Sequence, residues 1–197
     1  MIWIGLTGGM GCGKSTALKI FQDLNCGIES ADKIVSELYK RPEVINEISR
    51  ALDLPDNKSL EELKAEISKK VFNNPENLLK LESILHPLVR KKASEAKEAL
   101  QEKGFDFAFY EIPLLFEKKL EAQFDKTLCI GANKETQIER IKKRNLKWSV
   151  EEIQNRLNSQ ISLEEKKRRS DFYIDNSGDL EELKQKCSEL LSTLTSS

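Results

Sequence analysis

Gly8, four residues, then Gly13-Lys14-Ser15 is the stretch that most restricts what this chain can be. The spacing is G-x-x-x-x-G-K-[ST], and its surroundings fit a phosphate-binding loop. Ile2 to Thr7 is an apolar run closed by Gly, the pattern of a buried parallel strand. Lys14 to Leu24 reads as a helix, with Ala17, Leu18, Phe21 and Leu24 near one face. Glycines let the backbone take positive φ and approach an anion without a Cβ in the way. Successive N–H groups then form a nest for phosphate oxygens, which assigns nucleotide contacts to Gly9, Met10, Gly11, Cys12, Gly13, Lys14, Ser15 and Thr16. Lys14 adds a cation for the β- and γ-phosphates, the Ser15 hydroxyl suits Mg²⁺, and the helix dipole favours the anion. The motif implies a nucleoside triphosphate and leaves the acceptor open.

The remaining chain narrows the class. A net charge of −1 and a pI near 6.1 imply no general nucleic-acid surface, so phosphate must meet a local basic cluster. No apolar stretch reaches bilayer-spanning length, and a strand at the N-terminus leaves no room for a signal peptide. Cys12, Cys26, Cys129 and Cys187 form no C-x-x-C pair, so reduced thiols in a cytoplasm are expected. Further strands read at 26–30, 105–111, 125–131 and 171–175, each separated by helical sequence. That alternation means an α/β fold on a five-stranded parallel sheet. Residues 42–104 contain no strand pattern and are too many for one crossover; within them Pro87 should break or kink a helix after His86. The expected organisation is a core from residues 1–34, 105–143 and 171–197, a helical insertion at 35–104, and a small helical lid at 144–170.

Several residues could carry chemistry. Asp32 lies just beyond the second strand, where open α/β sheets bind ligands; it reads equally as a general base for an attacking hydroxyl or as a first-turn aspartate complementing the helix dipole. Glu111 ends the third strand, a position for a carboxylate that reaches Mg²⁺ through water. Arg140, Lys142, Lys143, Arg144 and Lys147, then Arg156 and Lys166 to Arg169, make the 144–170 region and its approach basic; Arg140 or Arg144 is expected to touch nucleotide. Ser30, Ser59, Ser149 and Ser162 are candidate helix caps. Asn133-Lys-Glu-Thr136 lacks the acidic residue that guanine recognition needs and reads as fortuitous. Cys12, inside the nest beside Lys14, is expected to have a lowered pKa and to be open to alkylation. A switch-type nucleotide module and a nucleoside monophosphate kinase share the loop and sheet.

The segments Gly5 to Thr16, Ala31-Asp-Lys-Ile34, Leu85-His-Pro-Leu-Val89, Pro113-Leu-Leu-Phe-Glu117, Gln137-x-x-Arg140-x-x-x-Arg144 and Asp175-Asn-Ser-Gly178 together resemble the dephospho-coenzyme A kinases over nearly the whole length. The resemblance implies a P-loop kinase core with a helical acceptor domain and lid, using ATP with Mg²⁺ to phosphorylate the ribose 3′-hydroxyl of dephospho-coenzyme A. It implies Asp32 as base, Lys14 and Arg144 as catalytic cations, and Arg140 and Asn176 beside the adenine. Asp32, His86 and Leu114 would meet the acceptor. Ser30, Ser36 and Cys12 stand where the family usually has Asp, Arg and Ser.

Overall fold

The computed structural model describes residues 1–55, 58–72, 74–146, 148–158 and 160–196. Among the described residues five strands form: β1 (Ile2–Gly8), β2 (Gly27–Ser30), β3 (Phe107–Glu111), β4 (Lys126–Gly131) and β5 (Phe172–Asp175). They pair in the order β2-β3-β1-β4-β5 as one parallel sheet. The helices are α1 (Lys14–Asp23), α2 (Ala31–Leu38), α3 (Pro42–Ala51), α4 (Leu60–Val71), α5 (Pro75–Glu102), α6 (Lys134–Arg144), α7 (Val150–Asn158), α8 (Leu163–Arg169) and α9 (Leu180–Thr195). The chain divides into two compact units, Met1–Glu29 with Leu100–Ser197, and Ser30–Ala99.

The first unit is organised around β1. It is the central strand, paired with β3 through Ile4↔Phe109 and with β4 through Leu6↔Leu128. A strand flanked on both edges and covered on both faces is a near-continuous apolar run, and Trp3 to Gly8 are all buried, Thr7 being the one polar side chain among them. Helices α1 and α9 bring Phe21, Leu183, Cys187 and Leu194 against Ile4, Phe109, Leu128 and Ile130. Phe21 and Phe109 stack with ring centroids 3.9 Å apart. Asp171 joins the far strands: its Oδ2 accepts from both the backbone N and the Oγ1 of Thr127, each at 2.7 Å.

The second unit is helical, with Ile34, Leu38, Val44, Ile48, Ile67, Leu81 and Leu85 buried. Two expectations change here. Helix α5 runs unbroken through Pro87. Proline's fixed φ is itself helical, so the cost is the lost N–H bond and ring crowding, and the flanking turns offset it. Ser30 holds the N-cap position of α2, yet its side chain makes no capping hydrogen bond. Ser59 and Glu62 do form the reciprocal capping box, as do Ser149 and Glu152; Ser162 caps α8 through Glu165 N alone.

Phe21 is fully buried and stacked, so Phe21→Ala should cost about 3–5 kcal/mol. Urea unfolding should show that loss as a lower midpoint with an unchanged slope.

Candidate active site

The loop between β1 and α1 takes its shape from packing behind it. Gly8 has φ +150°, and a Cβ there would lie 2.2 Å from the Ile130 carbonyl oxygen. Gly13 caps α1 in the left-handed region, φ +86°, where a Cβ would lie 2.2 Å from Asn176 Nδ2. Both positions therefore need glycine, for backbone conformation and for space. The Gly13 carbonyl accepts from Thr16 N and Ala17 N, each at 3.0 Å, which starts the helix.

A nest whose N–H groups face an anion turns carbonyls the other way, and those carbonyls need donors. Asn176 supplies one. Its Nδ2 donates to the Cys12 carbonyl at 2.8 Å, its own N donates to Gly131 O at 2.8 Å, and its carbonyl accepts from Arg140 Nη1 at 2.9 Å. Asn176 is 5% exposed, so this amide is a fixed part of the loop. Gln137, also buried, lies under Gly9 and Gly11 and donates from Nε2 to Ala132 O at 2.7 Å. Lys14 Nζ curls back to the carbonyls of Gly8 and Gly9, at 3.1 and 3.2 Å. Ser15 and Thr16 are exposed at the start of α1.

Beside the loop is an open cavity of about 380 Å³ lined by Gly13, Thr16, Arg140, Arg144, Asn176 and Leu180, among others. Leu180 is 54% exposed and gives this basic cavity an apolar wall. Two guanidinium groups, an apolar surface and a helix N-terminus together can take a flat heterocycle and its phosphates. Lys143 and Asp179 also line it. No sequence pattern marks Leu180 or Asp179 as cavity residues, because only the fold brings the start of α9 beside α6. Much of the basic run is engaged within the protein. Lys166 is wholly buried, Arg168 pairs with Glu165, Arg169 pairs with Glu121, and Arg156 stacks on Trp148 at 4.1 Å. Lys147 lies outside the described residues. Asn133, read from sequence as part of a fortuitous motif, caps α6 by accepting from Thr136 N at 2.8 Å.

Cys12 departs from expectation. Its side chain has no exposed surface and belongs to the core beside Ala17 and Ile130. Burial pushes its thiol pKa up, and the nearby Lys14 charge only partly opposes this. Cys12 thus presents no thiolate at the loop, and its N–H donates to Gly9 O at 3.3 Å.

Glu111 ends β3 half-buried, in register with Leu6 of β1, and so sits at the edge of the sheet from which the loop springs. Leu114 lies three residues further on, 39% exposed between half-buried Pro113 and buried Leu115. Asp32 is exposed in the first turn of α2, and His86 is on α5, its Nε2 4.0 Å from Glu82 Oε1; both belong to the helical unit. Among the described residues no group of three or more His, Cys, Asp or Glu side chains could hold a metal ion by itself.

A family model described as CoaE, dephospho-CoA kinase, matches residues 2–182. A Bdellovibrio bacteriovorus protein named dephospho-CoA kinase is 36% identical, the match covering 98% of this chain and 96% of the relative. The crystal structure of TT1252 from Thermus thermophilus superposes with a TM-score of 0.85 at 31% identity, covering 98% of this chain and 97% of that one. Dephospho-CoA kinase from Campylobacter jejuni superposes with a TM-score of 0.70 at 31% identity, covering 98% and 96%.

The four cysteines are all buried, and burial raises Cys26 to about 11 and Cys129 and Cys187 to about 12. Native protein at pH 7.5 should therefore resist maleimide, and denatured protein should label at all four. A thiol pKa raised by folding adds stability that is complete below the unfolded value of 9.0 and is lost as pH climbs toward the folded values. Urea midpoints should accordingly fall above pH 9, and fall less when Cys187 is replaced by Ala.

Proposed function

We infer that this chain, which belongs to the dephospho-CoA kinase family, catalyses the ATP-dependent phosphorylation of dephospho-CoA that completes coenzyme A synthesis. The observation that carries this is a phosphate loop with a fully packed back, in a chain that matches the family over residues 2–182.

In this reading the loop from Gly9 to Thr16 cradles the β- and γ-phosphates of ATP. The adenine lies in the cavity beside Arg140 and Asn176, with Arg144 toward the phosphates. Lys14 leaves the carbonyls of Gly8 and Gly9 for the phosphate oxygens, exchanging neutral acceptors for charged ones. Mg²⁺ fits the donor set available: the exposed Ser15 hydroxyl and, through water, the Glu111 carboxylate, the nucleotide supplying the rest. When bound, it neutralises charge on the phosphates. Residues 35–104 form the acceptor domain and residues 144–170 the lid, and Asp32, His86 and Leu114 are the residues assigned to dephospho-CoA. Asp32 takes the proton of the ribose 3′-hydroxyl as that oxygen attacks the γ-phosphorus, and ADP leaves. Phosphoryl transfer asks little covalent work of a protein, so Lys14 and Arg144 act by holding charge where it develops. A reducing cytoplasm suits four unpaired thiols.

Purified protein with Mg-ATP should convert dephospho-CoA to coenzyme A and ADP, and faster turnover of AMP, CMP or shikimate would overturn the acceptor. Asp32→Asn keeps the side chain's size and cannot take a proton. Its kcat should fall about 10²–10⁴-fold. ATP affinity, followed by calorimetry, should stay within a few-fold.

A further inference from the structure

Lys166 is the one lysine among the described residues that is wholly buried. It lies on α8, and its ammonium joins two ends of a different segment. Nζ donates to the Pro113 carbonyl at 2.8 Å and pairs with Glu117 Oε1 at 2.9 Å. The same Glu117 oxygen accepts from Ile161 N at 3.3 Å, just ahead of α8. The Pro113 carbonyl also accepts from Thr7 Oγ1 at 3.2 Å, and Thr7 directly precedes the phosphate loop. Between these anchors Leu115 and Phe116 are buried, and Arg169 covers the Phe116 ring at 4.7 Å. Leu114 alone among residues 113–116 is left substantially exposed as a large hydrophobic side chain.

Lysine is almost never fully buried unless paired, and a buried ion pair is a poor source of net stability, because an apolar pair of similar volume often serves as well. What the ammonium supplies that an apolar side chain cannot is direction. It holds acceptors at both ends of a five-residue turn at once, and so sets where Leu114 points.

We propose that Lys166 is a positioning residue for the acceptor: by tying Pro113 to Glu117 it fixes the turn that presents Leu114 to dephospho-CoA. This rests on the functional reading above, in which Leu114 meets the acceptor. Lys166 itself touches no substrate, being enclosed on all sides.

The test is steady-state kinetics on the full chain, varying each substrate at saturation of the other. Two variants are used. Lys166→Met removes the tie and leaves Glu117 without its cation. Lys166→Met with Glu117→Leu replaces the pair by apolar groups, which keeps the fold without restoring direction. Thermal melts and circular dichroism report folding. In any folded variant the KM for dephospho-CoA should rise roughly tenfold or more, with the KM for ATP within about twofold. An unchanged KM for dephospho-CoA overturns the proposal. So does a parallel rise in both KM values, or a loss confined to kcat. Failure of both variants to fold would make Lys166 a folding residue and also overturn it. Wild-type protein that turns over no dephospho-CoA would instead sink the functional reading, and this proposal with it.

Discussion

The hydrogen bond from the Asn176 amide to the Cys12 carbonyl is the contact on which the nucleotide end of the protein depends. An anion nest points its N–H groups one way and must leave carbonyls facing the other, toward the core. A buried carbonyl without a donor is costly, so the nest is stable only where the fold delivers a donor from behind. Asn176 reaches it from the end of β5, held in turn by Gly131 of β4 and by Arg140 of α6. Gly13 has to be glycine for the same reason, since that amide occupies the space a Cβ would take. Segments at β4, α6 and the end of β5, all remote in sequence from the loop, thus fix it before any ligand arrives. That pre-organisation is what lets a site stabilise charge without rearranging.

A second fixed turn lies at the same edge of the sheet. Thr7 ends the run into the phosphate loop, and its hydroxyl shares the Pro113 carbonyl with Lys166. The loop after β1 and the turn after β3 therefore have a common anchor. β1 and β3 are neighbours, with Leu6 opposite Glu111, so both emerge side by side. In an open parallel sheet this is where ligands bind, because the loops there leave from the carboxyl ends of adjacent strands. Kinase chemistry on such a frame is mainly a matter of holding two substrates in register, and rigid turns serve that better than mobile ones.

Legibility in the sequence followed the range of the interaction. The strands and helices were readable because their patterns repeat locally, and the observed ends differ by a residue or two, as at β3, which starts at Phe107. The phosphate loop was readable because its glycines and Lys14 are contiguous. No break occurs at Pro87, because a proline's local cost says nothing about the turns on either side of it. Cys12 misled because a residue can lie in a phosphate loop and point its side chain into the core. Asn133 could have been read as a cap, since Asn ahead of a helical run is a standard signal. Lys166 could not, because nothing in a run of four basic residues marks the one that is buried.

By itself the sequence determined the class of fold, the nucleotide loop and the chemistry its residues can perform, since each follows from residue types at short, fixed spacing. Tertiary structure alone decided which side chains back the loop, which cations face the cavity and which pair with carboxylates elsewhere in the protein. Arg140 and Arg144 reach the cavity, whereas Lys166 and Arg169 turn to Glu117 and Glu121. Those choices are made by burial and by partners more than thirty residues away along the chain, and the energy of such a pairing is set by the desolvated geometry in which the charges meet, which no local pattern encodes.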